Sequence, residues 1–241
     1  MSSEQLKHKL DNTNTDKLIK MSKTCVRLTK SFYDVSCQEL ALNLLGKVLV
    51  RRLDDNSLFK GRIVETESYL ADIDKASHAY NGRRTERNEP MYMPAGTAYV
   101  YMTYGMYFCF NISSSESGAA VLLRALEPLT NIEEMILLRY KGKPVPKNFK
   151  HHMLCNGPSK LCISMSINKD TCNKLDLSDD RNQALWIEDD FVDTDFKIVK
   201  THRIGIESVG EPWSKAPLRF YIHGNNYVSK RDKKAEQMFH K

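Results

Sequence analysis

From Leu28 onward, hydrophobic and polar residues alternate over many short stretches of the chain, which is the pattern of half-buried β-strands. Strands are predicted over residues 47–52, 61–70, 97–103, 106–112 and 120–127, and again around 184–187, 196–203 and 218–222. Short polar or glycine-containing turns at 54–57, 104–105 and 113–118 separate neighbouring strands. Because turns this short join adjacent antiparallel strands, the sequence predicts a mainly antiparallel sheet.

Helical spacing of hydrophobic residues is confined to a few short segments. It predicts an amphipathic helix over 37–46, a helix over 131–139, and a helix that begins at 157–161 with Pro158 in its first turn. No linker rich in Gly, Ser or Pro divides the chain. We therefore predict an α+β fold: a single compact domain over residues 28–228, in which flanking helices and a protruding β-hairpin accompany the sheet.

The two ends of the chain lack periodic hydrophobic positions. Residues 1–27 are polar and rich in Lys and Asn, and they are predicted to form a disordered leader rather than a targeting or DNA-contacting segment. Residues 229–241 are strongly charged, and they are predicted to form a frayed tail.

Composition and charge narrow the class of protein. Hydrophobic residues make up 41% of the 241 residues and charged residues 27%, which suits a globular core. The formal net charge of +6 favours an anionic partner, although many basic proteins bind no nucleic acid. No hydrophobic run reaches the roughly 18 residues of a membrane span, and the first residues lack the hydrophobic core of a signal peptide. The sequence therefore predicts neither membrane contact nor secretion. We expect a monomer, located in the nucleus if the source is eukaryotic and otherwise in the cytoplasm.

The cysteines give no sign of a metal site. The chain has six of them, and they form neither a CxxC pair nor a Cys/His cluster with zinc-ligand spacing. We therefore expect reduced thiols and no bound metal.

Three side chains of catalytic or stacking type share one face of the predicted strand at 61–70. The two-residue period of a strand places Glu65, Glu67 and Tyr69 on the same side. A carboxylate beside an aromatic ring can activate water in an active site. Spacing alone nevertheless favours a solvent-exposed outer face, because exposed Glu residues are common.

The segment from 97 to 107 is unusually rich in tyrosine and turns back on itself at Tyr104-Gly105. Tyr99 and Tyr101 can be core or cross-strand residues. Tyr104 is predicted to lie at the tip of the hairpin, where no core lies beneath it. An exposed ring there is either a wedge that enters a base stack or a surface residue without a role.

Three further residues are candidates for a pocket. Arg124 interrupts a hydrophobic strand, and a buried guanidinium requires a carboxylate or phosphate partner. Asn111, at the end of its strand, can line a pocket or cap a turn. His78 lies in a polar loop, where a single histidine more often packs or caps than catalyses.

These residues belong to motifs that together resemble one known family. The motifs are, in chain order, GRIVETESYL, ASHAY, GRRTERN, YVYMTYGMYFCFNIS, VLLRALEP, NGPSKL and PLRFYIHG. They resemble the alkyladenine DNA glycosylases, also called 3-methyladenine DNA glycosylases of the mammalian type. The resemblance extends from about Leu28 to Gly224.

The resemblance implies a DNA repair enzyme that needs no cofactor. Its members are monofunctional hydrolases without lyase activity, act on double-stranded DNA, insert a hairpin into the minor groove and hold a flipped purine in an aromatic pocket. The implied substrates are alkylated or deaminated purines, of the 3-methyladenine, 7-methylguanine, hypoxanthine and ethenoadenine class.

The resemblance also implies roles for individual residues. Glu67 matches the general base that activates the hydrolytic water, and Arg124 matches the arginine that positions this water. The base-binding pocket corresponds to Tyr69 on one side and His78 and Tyr101 on the other, with Asn111 against the amino group of normal guanine and the backbone of Ala76 beside the base. Tyr104 matches the intercalating wedge. Many members carry Gly-Pro where this chain has Ala71-Asp72.

Contacts with DNA phosphates are predicted less specifically. The candidates are basic residues near the pocket motifs, namely Arg83, Arg84, Arg87 and Lys160. For each of the three arginines, a solvated basic surface is the simpler interpretation. Lys160 lies at a helix start, which can bind a phosphate through free backbone N–H groups or can be a plain helix entry.

Two other functions fit parts of the same pattern. A non-catalytic protein that binds damaged or bent nucleic acid would use Tyr104 and the basic loops but would not need Glu67. A carbohydrate hydrolase could use Glu65 and Glu67 as a pair. However, side chains two residues apart on a strand lie about 7 Å apart and point the same way, so they flank a scissile bond poorly.

Overall fold

The computed structural model describes residues 25–192 and 195–239. Its strands are β1 (Val26–Arg27), β2 (Val48–Arg52), β3 (Leu58–Tyr69), β4 (Ala98–Thr103), β5 (Tyr107–Ser113), β6 (Ala120–Pro128), β7 (Leu185–Asp189), β8 (Ile198–Thr201) and β9 (Arg219–Ile222). The α-helices are α1 (Lys30–Tyr33), α2 (Cys37–Asn43), α3 (Ile132–Tyr140), α4 (Pro158–Ser164), α5 (Lys169–Cys172) and α6 (Lys233–Glu236). Each predicted strand and helix is present, within a few residues of its predicted bounds.

The strands form a single antiparallel sheet in the order β1-β7-β2-β3-β6-β5-β4. β9 pairs with β3 beyond the end of β2, and β8 pairs with β9, so the sheet branches at the long central strand β3. The strands β4, β5 and β6 follow one another directly, as the short turns predicted. The predicted α+β class is therefore confirmed.

Both faces of β3 are covered. On one face, the hydroxyl groups of Thr66 and Ser68 donate to backbone carbonyl oxygens of α2, at 2.8 Å and 3.3 Å. The opposite face carries Glu65 and Glu67, whose side chains are completely buried. The solvent-exposed outer face that spacing alone favoured is wrong, because segments from the C-terminal part of the chain cover these carboxylates.

The predicted hairpin protrudes from the sheet. Tyr104 and Gly105 both have positive φ, of 50° and 67°, and the Met106 N–H donates to the Thr103 carbonyl oxygen at 3.3 Å across the turn. Two successive residues of positive φ are the feature that lets a tight turn follow the twist of a hairpin. The Tyr104 side chain is 87% exposed at the tip.

The ends of the domain differ from the prediction. Residues 1–24 of the expected leader lie outside the described residues, but its last part forms β1, because Val26 and Arg27 pair with β7. The tail expected to fray over 229–241 instead forms α6 and a 3₁₀ turn, Gln237–Phe239. Asp232 caps this helix, and the buried Glu236 accepts a hydrogen bond from the Tyr221 hydroxyl at 3.0 Å. The tail is therefore held to the sheet. Residues 240 and 241 lie outside the described residues.

Neither a membrane span nor a metal cluster is found in the part of the chain that the structure describes. Over 25–192 and 195–239, no helix is both long and hydrophobic enough to cross a bilayer. The same residues contain no group of three or more His, Cys, Asp or Glu side chains that could hold a metal ion. The six cysteines are free thiols.

Candidate active site

One cavity, of about 340 Å³, brings together the pocket residues predicted from the sequence. Its wall is formed by residues from β3, the loops after β3, the β4–β5 hairpin and β6, and is completed by residues 204–206 and the start of α4. It includes all of the predicted base-binding residues, Tyr69, Ala76, His78, Tyr101 and Asn111, and also Tyr104 and Arg124. Residues that lie far apart in the sequence therefore meet at one site.

Glu67 lies directly behind this wall. Its Oε1 accepts a hydrogen bond from the Ile204 N–H at 2.8 Å, and its Oε2 accepts one from the Tyr69 hydroxyl at 2.9 Å. Arg124 Nη1 lies 3.3 Å from Oε1. Both carboxylate oxygens thus face donors, an arrangement that suits the ionised form, and all three partners of Glu67 line the cavity.

Glu65 holds the arginine that contacts Glu67. Its Oε1 accepts from Arg124 Nε at 3.3 Å and from Arg219 Nη1 at 2.8 Å, and its Oε2 accepts from the Ser229 N–H at 2.7 Å. Burial disfavours the charge on Arg124, but Glu67 and Glu65 outweigh it and raise the pKa of Arg124 above its ordinary value. The prediction that this buried guanidinium has a carboxylate partner is therefore confirmed, and there are two.

A second buried ion pair supports Tyr69 and the loop that follows it. Arg203 Nη2 contacts Asp74 Oδ1 at 2.8 Å, and the Arg203 guanidinium lies 4.6 Å from the centre of the Tyr69 ring. Asp74 also accepts hydrogen bonds from the backbone N–H groups of Leu70 and Ala76, both at 3.0 Å. This pair therefore fixes the Tyr69 ring relative to the backbone of Ala76.

Three aromatic side chains of the cavity wall, His78, Tyr99 and Tyr101, pack together. The His78 ring lies 4.7 Å from the Tyr101 ring, edge to face, and the Tyr99 and Tyr101 rings lie 5.2 Å apart. His78 Nδ1 and the Tyr99 hydroxyl are hydrogen-bonded at 2.8 Å. His78 as a whole is exposed, but desolvation of its ring at the cavity, together with the charges of Arg87 and Arg83, lowers the pKa of His78 to about 4, so this ring is neutral at pH 7.

Asn111 lies on β5 and is buried against the floor of the cavity rather than at a turn. Its backbone is paired with Tyr99 on β4 and with Leu122 on β6. Its Nδ2 donates to the Tyr99 carbonyl oxygen at 3.1 Å. The turn-capping alternative is therefore wrong, since both neighbouring strands fix this residue inside the pocket.

The predicted phosphate contacts have different environments. Arg83 and Arg87 are exposed beside the cavity, and the Arg87 guanidinium lies 5.0 Å from the centre of the Tyr101 ring. Arg84 is paired with Glu89 at 2.6 Å, so part of its charge is compensated. Lys160 Nζ donates to Asn156 Oδ1 at 2.8 Å.

Several residues of the site were missed in the sequence. Ile204 contributes a backbone N–H, a group that every residue except proline carries, so the sequence holds no signal for it. Asp74 lies in an irregular loop, and Arg203, at the end of the strand predicted over 196–203, follows β8 in the structure. Neither position carried a signal for a buried ion pair. Tyr99, predicted as an ordinary strand residue, also lines the cavity.

The fold and the cavity together define a class of protein: a single α+β domain in which a buried carboxylate lies beneath an aromatic pocket and an exposed hairpin stands beside it. Comparison with known families identifies the class more closely. The model of the methylpurine-DNA glycosylase (MPG) family matches residues 31–226, and the chain belongs to this family.

Curated relatives come from both mammals and bacteria. The chain is 47% identical over 216 residues to a DNA-3-methyladenine glycosylase of Mus musculus, a match that covers 88% of this chain and 64% of the mouse protein. It is 46% identical over 214 residues to the Homo sapiens protein of the same name, covering 88% of this chain and 70% of that protein. A putative 3-methyladenine DNA glycosylase of Clostridium botulinum is 48% identical over 211 residues, covering 85% of this chain and 99% of the bacterial protein. The chain thus spans about two thirds of the length of the mouse relative.

Proposed function

We propose that this protein is a monofunctional DNA glycosylase that removes damaged purines from double-stranded DNA by hydrolysing the bond between base and sugar, the first step of base excision repair. One observation carries the proposal: a buried carboxylate, Glu67, lies behind an aromatic cavity and is held there by three cavity-lining partners. The names of the mouse, human and bacterial relatives support the same reaction.

Glu67 would serve as the general base. A water molecule hydrogen-bonded to both Arg124 and Glu67 on the cavity side attacks the anomeric carbon of the sugar. The bond from this carbon to the purine nitrogen breaks, and its electron pair leaves with the base. Glu67 takes the proton of the water and its charge stabilises the cationic sugar in the transition state. Arg124 Nη1, 3.3 Å from the carboxylate, can fix the position of the water.

The cavity would receive the base after it has been rotated out of the duplex. A purine placed there has the Tyr69 ring on one side and the rings of His78 and Tyr101 on the other, which replaces the stacking lost from the double helix. Tyr104, at the exposed tip of the hairpin, would fill the gap left in the duplex. Asn111 lies on the cavity floor, where it can exclude the amino group of normal guanine.

The non-catalytic alternative is disfavoured by the internal contacts of the site. A protein that only binds bent or damaged DNA has no need for two buried carboxylates, Glu65 and Glu67, and such groups are stable only with dedicated partners. Outside β3, this chain supplies those partners from four segments: β6, β9 and the residues around Ile204 and Ser229.

The test is release of free base from matched duplexes. Duplexes of one sequence carrying 3-methyladenine, 7-methylguanine, hypoxanthine or ethenoadenine are incubated with the protein, with and without EDTA, and the released bases are separated by chromatography. We expect free base and an intact strand that breaks only when the abasic site is treated with alkali. Release of no base from any of these duplexes, or strand cleavage without alkali, would contradict the proposal.

A further inference from the structure

Arginines lie against two of the aromatic rings that line the proposed base pocket, Tyr69 and Tyr101. The Arg203 guanidinium is 4.6 Å from the centre of the Tyr69 ring, and the Arg87 guanidinium is 5.0 Å from the centre of the Tyr101 ring. Neither arginine lines the cavity. Each guanidinium therefore contacts its ring from outside the space that a base would occupy.

The two arginines differ in how far their charge is compensated. Arg203 is completely buried and forms a two-point ion pair with Asp74. Arg87 is exposed, donates to the Met102 carbonyl oxygen at 3.2 Å, and has no carboxylate partner within ion-pair distance among the described residues. Arg87 is thus the uncompensated cation of the pair.

The acidic groups around the cavity are matched. Glu65 and Glu67 are paired with Arg124 and Arg219, and Asp74 with Arg203. The remaining ring, His78, is neutral at pH 7 because its pKa is lowered to about 4. The charge of Arg87 is therefore not cancelled by an unpaired carboxylate on the wall of the pocket.

An aromatic ring attracts cations through the negative potential of its faces. A guanidinium on one face uses part of this attraction and repels a second cation on the same ring. A purine made cationic by alkylation therefore gains less from stacking on Tyr101 than it would on an uncharged wall. A neutral damaged purine of the same shape does not experience this repulsion.

We propose that Arg87 is a specificity-determining residue, which lowers the preference of the pocket for cationic alkylated purines relative to neutral damaged purines. The proposal rests on the proposed function, since it assumes that a damaged base occupies the cavity. It assigns to Arg87 a role that contact with a phosphate would not provide, because such a contact is the same for both kinds of lesion.

The test compares two lesions of the same shape but different charge. One duplex carries 7-methylguanine and the other its uncharged 7-deaza isostere, each on a 2′-fluorinated sugar that resists hydrolysis. Dissociation constants of both duplexes are measured for the parent protein and for Arg87→Met, which keeps a long side chain without charge. The quantity of interest is the ratio of the neutral to the cationic dissociation constant.

We expect Arg87→Met to raise this ratio about two- to fivefold, the size of one cation–π contact at a partly exposed site. Arg87→Lys retains the charge and should stay within about twofold of the parent. Arg83→Met is the matched control, because Arg83 is exposed in the same loop but has no contact with a ring of the pocket. Because the charge of Arg83 also reaches His78, Arg83→Met should raise the ratio less than Arg87→Met does, even if both duplexes bind more weakly.

An unchanged or lower ratio for Arg87→Met would overturn the proposal, and so would an equal rise for Arg83→Met, which would indicate a general field effect. The parent protein tests the proposed function separately. If it bound neither damaged duplex more tightly than undamaged DNA, the proposed function would fail, and this proposal with it.

Discussion

Tyr104 is expected to favour function at the expense of stability. It combines an 87% exposed ring with a positive φ of 50°, a backbone conformation that costs a bulky L-residue about 1–2 kcal/mol. Asn followed by Gly is the preferred pair for a turn with two positive φ values. Tyr104→Asn should therefore raise the free energy of unfolding by about 0.5–1 kcal/mol, since Asn tolerates this conformation better than Tyr does.

The same substitution should weaken capture of damaged DNA. Loss of one stack between an aromatic ring and a base costs about 1–3 kcal/mol, which corresponds to roughly 5- to 150-fold in affinity for a lesion duplex. Stability is measured by urea denaturation of the free protein, and affinity by titration of a duplex whose damaged nucleotide resists cleavage. The two properties should change in opposite directions.

Tyr104→Phe is the matched control, because it keeps the ring and the strained backbone and removes only the hydroxyl. Both its stability and its affinity should stay close to those of the parent. A less stable Tyr104→Asn variant would show that the ring supports the fold. Unchanged affinity for lesion DNA would show that Tyr104 does not act as a wedge.

Three further predictions concern the loop and the pocket. Ala71 has a positive φ of 50°, a conformation that Gly adopts more readily than Ala, so Ala71→Gly should raise the free energy of unfolding by about 0.5–1 kcal/mol in urea denaturation. A less stable variant would contradict the strain argument. Asn111→Ser should release normal guanine from guanine-containing mismatches in a base-release assay, and no gain would remove Asn111 from the selection of bases. The His78 imidazole should titrate near pH 4 by NMR rather than near its ordinary value of 6.5. Because the pKa of His78 is lower in the folded than in the unfolded protein, the stability that this group contributes is complete above about pH 6.5 and is lost as the pH falls through 4. Titration of His78 near pH 6.5 would contradict this environment.

The sequence was sufficient to predict the sheet and the hairpin, because both depend on local patterns. Alternation located the strands, and the Tyr104-Gly105 pair located the turn, since one of its two residues is the glycine that positive φ favours. The sequence also predicted that Arg124 has an anionic partner, although not which residue it is, because a guanidinium in a hydrophobic strand is stable only beside an anion.

Burial of the two carboxylates was not predictable from the same patterns. Alternation shows that Glu65 and Glu67 share a face, but not which distant segment covers that face. The cover is formed by the backbone N–H groups of Ile204 and Ser229, which β8 and β9 bring to β3. A backbone N–H has no sequence signature, and pairing of distant strands leaves little trace in a single sequence.

The tail was predicted wrongly for a different reason. High charge in a terminal segment usually indicates fraying, but here charged side chains form contacts within the domain. Arg231 pairs with Glu236 at 2.8 Å, and Arg219 donates to the Lys230 carbonyl oxygen at 2.7 Å. The tail therefore extends the contacts that hold Glu65, which is itself bonded to Ser229.

The most direct test of the proposed mechanism is excision by Glu67→Gln. Glutamine keeps the shape of the side chain and one oxygen, but it removes the negative charge and the proton acceptor. Binding to a duplex with a hypoxanthine lesion should persist. Single-turnover excision of hypoxanthine at saturating enzyme should fall by at least about 100- to 10,000-fold, the usual effect of losing a general base. If Glu67→Gln releases hypoxanthine at nearly the parent rate, Glu67 is not the base, and the account of this site is wrong at its centre.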